Sequence, residues 1–257
     1  MQKFTTYIIS HKEVDYPTSE GYEIIYVGDA ANSGLKNIND RNGDNISELN
    51  PYFCELTAQY WIWKNHFPSK DSNDLVGFCH YRRFFSFDST SSTPTELMES
   101  GSRSAINSCL KDVEVILPEG ITFPVKQHWF SWSKKTGKLK FPWGKATLLE
   151  QWQTGHQYES LILATEILPK NHKKGFLEHL NTYELHPYNM YIARVKVLNE
   201  YFSILFPWLF EYKEFLNKSV RSDINQSRLF GFISERFASY YFSRNHKFTT
   251  IPVKLIS

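Results

Sequence analysis

The sequence is short of cysteine, of net charge and of long apolar runs, and each shortage excludes a class of protein. Its three cysteines, Cys54, Cys79 and Cys109, are odd in number and widely spaced, which indicates neither a disulfide framework nor a zinc site but a reducing compartment. The 29 Lys and Arg against 27 Asp and Glu give a net charge of +2, too small for a dedicated nucleic-acid-binding protein.

Membrane and secretion signals are lacking as well. No stretch reaches the roughly 18 apolar residues that a transmembrane helix needs. The apolar run within residues 1–10 is far too short for a signal peptide. We therefore expect a cytoplasmic protein with no nucleic-acid partner.

Aromatic residues are abundant, with 20 Phe, 15 Tyr and 7 Trp, and such side chains bury large areas and stack on flat or partly apolar ligands, sugars included. The 41% of hydrophobic residues exclude a disordered chain. A length of 257 residues fits one large domain or two small ones.

Strand and helix patterns alternate in the first half of the chain, which is typical of an α/β sheet with helices on its faces. Apolar runs predict strands at 4–11, 22–28, 75–79 and 113–117, and Asn50-Pro51 marks the start of a helix that ends near residue 65. The second half is more helical, and its short apolar run at 188–192 is expected to return to the sheet. Helices are predicted at 145–168, at 196–217 apart from an interruption at Pro207, and at 226–243.

Polar clusters follow three of the predicted strands: His11-Lys12, Asp29, and His80-Tyr81-Arg82-Arg83. Ligands of open α/β sheets bind beyond the carboxyl ends of the strands. Because arginine offers a rigid fork of donors that matches phosphate oxygens, the adjacent arginines predict a diphosphate site. The alternative is that one forms a structural ion pair and the other faces solvent. Since neighbours in an extended chain point to opposite sides, we predict that one contacts phosphate and the other pairs with Glu55 or Asp44.

A set of motifs in this order resembles a known family. The motifs are GDNIS (43–47), ELTAQYWIWKN (55–65), VGFCHYRRFF (76–85), VILP (115–118), NMYI (189–192) and GFISER (231–236). They resemble a family of bacterial glycosyltransferases from capsule, exopolysaccharide and lipopolysaccharide gene clusters, long catalogued as a domain of unknown function. Some of its members are described as galactofuranosyltransferases. The resemblance covers almost the whole chain and implies an α/β, three-layer fold similar to the nucleotide-diphospho-sugar transferases (GT-A-like).

The activity that the resemblance implies is transfer of a sugar from a nucleotide-diphosphate donor, UDP-galactofuranose or another UDP-hexose, to a growing capsular, exopolysaccharide or lipopolysaccharide glycan. We expect a single domain, with a nucleotide-sugar-binding half at 1–118 and an acceptor-side half at 119–257. The donor diphosphate is expected against His11, Lys12 and the segment 80–83, with the nucleoside near Asp29. A saccharide or lipid-linked saccharide acceptor is expected in the second half. The rival hypothesis is a non-catalytic carbohydrate- or polyanion-binding module.

No Asp-x-Asp triplet, the metal-binding motif of most transferases with this fold, occurs in the sequence. The nearest match, Asp112-Val113-Glu114, lies at the start of a predicted strand, which is the wrong end for a ligand. We expect the segment 80–83 to take its place, with guanidinium charge neutralising the leaving diphosphate. Binding of Mg²⁺ or Mn²⁺ remains an alternative, because Asp40, Asp44 and Asn45 offer the hard oxygen ligands that such ions prefer. The resemblance favours donor binding by Asp44 and Asn45 over turn and cap chemistry.

An inverting transfer needs a group that takes the proton of the acceptor hydroxyl. Glu235, in the GFISER motif, is the first candidate, and Glu159, on one helical face with His156, is the competitor. Glu55 is a third candidate, and for each acid the alternative is a solvated or ion-paired carboxylate. The side-chain amide of Asn189, on the apolar run at 188–192, needs hydrogen-bond partners if it is buried, and a sugar hydroxyl is one such partner. The acceptor-side candidates are His156, Asn189 and Arg236.

The segment 126–145 combines lysines with tryptophans and phenylalanines, and residues 120–149 contain six lysines and no acid. Lysines favour an anionic surface, and aromatic rings anchor at the depth of lipid headgroups. We therefore predict an acceptor-side or membrane-surface loop that brings the protein to the cytoplasmic face of the inner membrane. The alternative is a solvated loop whose aromatic side chains fold inward.

Overall fold

The computed structural model describes residues 2–32, 38–124, 131–132, 139–140, 144–218 and 224–256. Its strands are β1 (Phe4–Ser10), β2 (Tyr22–Tyr26), β3 (Ile38–Asn39), β4 (Leu75–His80), β5 (Arg83–Phe85), β6 (Val115–Pro118), β7 (Ile121–Pro124), β8 (Ser131–Trp132), β9 (Leu139–Lys140), β10 (Lys145–Ala146), β11 (Glu184–Leu185), β12 (Tyr191–Arg194), β13 (Phe248–Ile251) and β14 (Val253–Leu255). Its α-helices are α1 (Asn50–Phe53), α2 (Leu56–Asn65), α3 (Pro94–Ser100), α4 (Arg103–Cys109), α5 (Leu148–Trp152), α6 (Tyr158–Ile167), α7 (Lys170–Leu180), α8 (Val195–Lys218) and α9 (Leu229–Asn245). Short 3-10 helices lie at Gly28–Asn32, Ser47–Leu49 and Phe67–Ser69.

The main sheet has the strand order β13-β6-β12-β4-β1-β2-β3, and β5 and β14 extend it beside β4. Neighbours β4, β1, β2 and β3 are parallel, as are β6 and β13, whereas β12 is antiparallel to both β4 and β6. The carboxyl ends of β1, β2 and β4 therefore lie at one edge of the sheet. The predicted return of the run at 188–192 is confirmed by β12.

Alternate residues of the central strands face two separate hydrophobic cores. In β1, Tyr7 and Ile9 pack against the helices α2, α8 and α9, whereas Ile8 packs on the other face with residues of α3 and α4. All three side chains are buried, as expected for central strands of a sheet covered on both faces. The predicted three-layer arrangement is thereby confirmed.

Three predicted helices have different limits in the structure. The helix predicted from residue 50 to 65 is divided at Cys54, whose φ of 54° lies in the left-handed region and stops a right-handed helix. The helix predicted at 145–168 begins as β10, and a turn containing Gly155 separates α5 from α6. Conversely, α8 continues through Pro207, because the buried Phe206 and Trp208 on either side hold it against the core.

The segment His80–Arg83 forms a tight hairpin at the end of β4. His80 pairs with Arg83 across the turn formed by Tyr81 and Arg82, so β5 runs back antiparallel to β4. The C-terminal strand β14 pairs with β5, and the N–H of Ile256 donates to the carbonyl of Arg82 at 2.8 Å. The segment 253–256 thus helps to fix the position of the two arginines.

Candidate active site

A cleft of about 910 Å³ opens at the carboxyl ends of β1 and β4. The corner between α1 and α2, the start of α9 and the loop before β12 form its other walls. Its polar and charged lining comprises His11, Lys12, Asn50, Cys54, Glu55, His80, Tyr81, Arg82, Arg83, Gln151, His156, Tyr188, Arg228, Glu235 and Arg236. Ten of the sequence-based candidates for donor, acceptor or base roles therefore meet here: His11, Lys12, Glu55, His80, Tyr81, Arg82, Arg83, His156, Glu235 and Arg236.

One wall of the cleft is cationic. The hairpin after β4 brings both Arg82 and Arg83 to it, because the chain turns between His80 and Arg83. The guanidinium of Arg82 lies 5.2 Å from the ring centroid of Tyr81, and that of Arg83 lies 4.7 Å from the ring centroid of Tyr188. Such cation–π contacts orient a guanidinium without neutralising it.

The prediction that one of these arginines pairs with Glu55 or Asp44 is wrong within the described part of the chain. No described acid lies within salt-bridge distance of either guanidinium. Instead, Asp44 accepts from the hydroxyl of Tyr60 at 2.9 Å, and Glu55 accepts from the amide of Asn189 at 2.6 Å.

Sequence reasoning missed a further cation on this wall. Arg228 precedes α9 with a left-handed φ of 57° and lies over the ring of Phe232, 5.2 Å from its centroid. Burial, together with the charges of Lys12, Arg82, Arg228 and His80, lowers the pKa of His11. Positive charge is therefore concentrated where His11 enters the cleft. The sequence offered one indication of this role for Arg228, namely a basic residue directly before the apolar run that forms α9.

Two carboxylates face these cations. Glu235 projects from α9 and accepts the backbone N–H of Tyr188 at 3.0 Å, and Glu55 precedes α2 and accepts from Asn189. Burial, followed by the charge of Glu55, raises the pKa of Glu235 to about 7, while Arg236, the Tyr188 N–H and Arg228 act in the opposite direction. A carboxylate with this pKa exchanges protons near neutral pH, which a general base requires.

Left-handed backbone surrounds this cleft. The non-glycine residues with positive φ in the described ranges are Cys54, Tyr188, Asn189 and Arg228. Three of them line the cleft, and the fourth, Asn189, bonds Glu55. Such conformations cost about 1–3 kcal/mol each and concentrate at functional sites.

The opposite wall is formed by α5 and α9. The ring of His156 stacks on Trp152 with centroids 4.2 Å apart, and burial followed by the charge of Arg236 lowers the pKa of His156. The buried guanidinium of Arg236 donates to the side chain of Gln151 and lies over the Trp152 ring. This wall offers aromatic and hydrogen-bonding surface beside the carboxylates, which suits a sugar.

Several candidates lie elsewhere. Glu159 is exposed on α6, and Asp29 is exposed in the 3-10 helix after β2; neither lines the cleft. Asp44 exchanges backbone hydrogen bonds with the side chain of Asn65, and Asn45 bonds the carbonyls of Arg41 and Gly43. These contacts are the turn chemistry that was the alternative for Asp44 and Asn45.

Over the described ranges, no three His, Cys, Asp or Glu side chains come together as metal ligands. Glu114 lies at the start of β6 and pairs with His246 at 3.3 Å, remote from the carboxyl ends of the strands, as predicted for the segment 112–114. The position at the end of β4 is taken by Arg82 and Arg83.

Most of the segment 126–145 lies outside the described residues, and so does the prediction made for it. Its described parts are β8 and β9, which pair with one another, and the start of β10, which pairs with β7. No helix in the described ranges is long and apolar enough to cross a membrane.

Comparisons with known proteins agree with this architecture. No curated protein matches the sequence at a significant level. The solved apo structure of WbbM, a bifunctional glycosyltransferase, is similar with a TM-score of 0.76 at 21% identity, and the similarity covers 100% of this chain and 46% of that one. The chain thus spans less than half the length of that protein, and the likeness confirms the predicted glycosyltransferase-type α/β fold. Residues 5–246 match the family described as "Domain of unknown function (DUF4422)", and the chain belongs to that family.

Proposed function

We propose that the protein is a glycosyltransferase that moves a sugar from a nucleoside-diphosphate donor to a hydroxyl of a saccharide acceptor. The observation that carries this proposal is the arrangement of the cleft. Lys12, Arg82, Arg83 and Arg228 line the same cavity as Glu235, at the carboxyl ends of parallel strands. Anion-binding and proton-accepting groups are thereby combined in a fold like that of a glycosyltransferase.

The cationic wall suits the donor diphosphate. Guanidinium groups match phosphate oxygens with paired donors and stay charged at all working pH values. Arg82 and Arg83 are free of acid partners within the described part of the chain, so their charge is available to a ligand. We place the nucleoside toward Asp29, beyond the end of β2, and give Asp44 and Asn45 no direct contact with the diphosphate.

The chemistry depends on the position of the carboxylate. Glu235 would take the proton of the acceptor hydroxyl as its oxygen bonds to the anomeric carbon of the donor sugar. The bond from that carbon to the diphosphate breaks, and the electron pair leaves with the diphosphate. Arg82 and Arg83 would stabilise the negative charge that develops there. His156 and Arg236, on the opposite wall, would contact the acceptor.

The proposed classes of donor and acceptor rest on the resemblance of the sequence motifs to the bacterial glycosyltransferase family described above. We propose UDP-galactofuranose or another UDP-hexose as donor, and a growing capsular, exopolysaccharide or lipopolysaccharide glycan as acceptor. A cytoplasmic protein that contacts the inner membrane through the segment 126–145 would reach a lipid-linked acceptor. Sedimentation with anionic vesicles tests this: binding should fall with salt and on changing the lysines of the segment to serine.

Calorimetric titration with a panel of nucleoside diphosphates and nucleotide sugars, with Mn²⁺ or with EDTA, tests the main proposal. We expect binding of one nucleoside diphosphate that survives EDTA, and slow hydrolysis of the matching nucleotide sugar without acceptor. A carbohydrate- or polyanion-binding module would show neither nucleotide selectivity nor hydrolysis, and that result would refute the proposal.

A further inference from the structure

The wall of the cleft opposite the cations carries a polar side chain that has no role so far, that of Gln151 on α5. The start of α5 is fixed by Thr147, whose hydroxyl accepts from the N–H of Glu150 at 3.1 Å, while the Glu150 carboxylate accepts the Thr147 N–H at 3.0 Å. The buried Leu148 and Trp152 hold the helix against the core. The backbone that carries Gln151 therefore has a defined position at the cleft.

The orientation of the Gln151 amide is determined by Arg236. The guanidinium of Arg236 donates to Oε1 of Gln151 through Nη2, and to the carbonyl of Phe232 through Nη1 at 3.0 Å. A guanidinium carries donors and no acceptor, so a reversed amide would set the NH₂ group of Gln151 against another donor. Gln151 therefore turns its oxygen to Arg236, and its NH₂ group takes no part in that contact.

Arg236 is itself held in place. The residue is buried, and its guanidinium lies 4.7 Å from the ring centroid of Trp152. Burial lowers the pKa of Arg236 to about 10, while the charge of Glu235 acts in the opposite direction, so the guanidinium stays charged at neutral pH. Because a charged donor forms a stronger hydrogen bond than a neutral one, the Gln151 amide is oriented before any ligand binds.

The NH₂ group of Gln151 has no acceptor within the described part of the chain. The side chain makes one hydrogen bond there, through Oε1 to Arg236, and it is half-buried where it lines the cleft. Two N–H donors are thus left for a ligand.

The neighbours of Gln151 indicate the chemistry of that ligand. The ring of His156 lies 4.9 Å from that of Phe232, measured between centroids, and Phe123 of β7 also lines the cleft. His156 is neutral at neutral pH, because burial and the charge of Arg236 lower its pKa. A sugar presents hydroxyl oxygens at its rim and C–H groups on its faces, and it therefore matches an amide donor set beside aromatic rings.

We propose that Gln151 is a specificity-determining residue that donates from Nε2 to a hydroxyl oxygen of the acceptor sugar other than the hydroxyl that reacts. This inference rests on the proposed function and names the group that selects the acceptor. Glu235 and Arg236 are consecutive on α9, so Arg236 ties Gln151 to the helix segment that carries the proposed base. A sugar bound at Gln151 is thereby oriented relative to Glu235, and an analogue without the bonded hydroxyl leaves the amide unpaired.

The first test follows the side-chain amide of Gln151 by ¹H–¹⁵N NMR, with its signals assigned by their loss in Gln151→Met. The probes are the methyl pyranosides of galactose, glucose, mannose and N-acetylglucosamine, added up to their solubility in the presence of UDP. We expect at least one sugar to shift the Gln151 signals saturably, and one of its monodeoxy analogues to lose this effect while the others keep it. No shift with any of the sugars would overturn the inference.

Transfer kinetics with the sugar that shifts the Gln151 signals are the second test. Gln151→Glu keeps an acceptor for Arg236 but loses the donor, and Gln151→Met loses both without adding charge. Each variant should raise the KM for the acceptor sugar about tenfold or more, and the KM for the nucleotide sugar by much less. Gln153→Glu is the matched control: Gln153 is exposed beside α5 and does not line the cleft, so both constants should stay at the wild-type values.

The outcomes separate this inference from the proposed function. An unchanged acceptor KM in either Gln151 variant, with sugar transfer intact, would overturn the inference and leave the glycosyltransferase proposal standing. If a sugar shifts the Gln151 signals but no nucleotide sugar is turned over, the proposed function fails and the sugar contact stands.

Discussion

The cleft and the aromatic core between α7, α8 and α9 are built in opposite ways. In the core, Phe237 packs against Trp208, Phe176 and Tyr201 with ring centroids 4.9 to 6.0 Å apart. No described non-glycine residue of these three helices has a positive φ. The cleft has left-handed residues at Cys54, Tyr188 and Arg228, and directly behind it Asn189 is left-handed and has a buried amide oxygen without a partner.

The core therefore provides the stability of the fold, and the cleft provides the functional side chains. Ring packing in regular helices lowers the free energy of the folded state, whereas strained backbone and buried charge raise it. The cleft therefore depends on the core to hold side chains in positions that they would not adopt alone. Changes in the core should act on unfolding, and changes in the cleft should act on binding and turnover.

The largest effect on stability is expected from Phe237→Ala. The side chain is fully buried, so its loss leaves a cavity and should lower the free energy of unfolding by about 3–5 kcal/mol. Urea unfolding followed by circular dichroism measures this. Tyr183→Ala is the control, because Tyr183 is 51% exposed, and its effect should stay within about 0.5 kcal/mol. Equal losses in both variants would contradict the role given to the core.

Glu235→Gln should have the largest effect on turnover. The glutamine keeps the oxygen that accepts the Tyr188 N–H but cannot take a proton, so sugar transfer should fall on the order of 10²-fold or more. Nucleoside-diphosphate binding and folding should be retained. Glu159→Gln, at the exposed competitor on α6, should keep its activity. The reverse outcome would move the base to Glu159.

Arg82→Lys and Arg83→Lys test the cationic wall. Lysine keeps the charge but loses the fork of donors, so we expect nucleoside-diphosphate binding to weaken by about 1–3 kcal/mol in at least one variant. Calorimetric titration measures the change, and melting curves should be little affected, because neither arginine has an acid partner in the described residues. If both variants bind as the wild type does, the arginines are structural.

A smaller effect, in the core, depends on pH. Burial, followed by the charges of Arg244 and His186, lowers the pKa of His179 to about 4. The folded state therefore favours neutral His179. Its contribution to the free energy of unfolding is fully present above the ordinary histidine pKa of about 6.5 and is lost as the pH falls from there towards 4. At pH 5.5 the free energy of unfolding should be lower by on the order of 1 kcal/mol for this reason.

His179→Gln should reduce that acid-dependent loss, since glutamine can still accept from Ser239, which lies 3.2 Å from the His179 ring nitrogen, but does not titrate. Thermal melting of both proteins at pH 7.5 and 5.5 measures it. A parallel fall of both melting temperatures would assign the acid sensitivity to other groups.

Local sequence pattern determined the central strands and the polar edge of the sheet. The apolar runs that became β1 and β4 predicted buried strands, and the polar residues at their ends predicted His11, Lys12, Arg82 and Arg83 at one edge of the sheet. This succeeded because parallel strands bring their carboxyl ends together whatever the rest of the fold does. The limits of the helices were less predictable: Phe206 and Trp208 carry α8 past Pro207 through packing that no local pattern contains.

Only the tertiary structure decided how the two carboxylates are held. The Asn189–Glu55 hydrogen bond joins positions 134 residues apart, and it forms because the left-handed corner at Tyr188–Asn189 turns towards α2 and α9. Arg228 reached the cleft in the same way, through a left-handed turn before α9. Tyrosine and arginine rarely adopt a left-handed backbone, and asparagine adopts it in only a minority of its positions. The corner therefore exists only because contacts from several distant segments hold it.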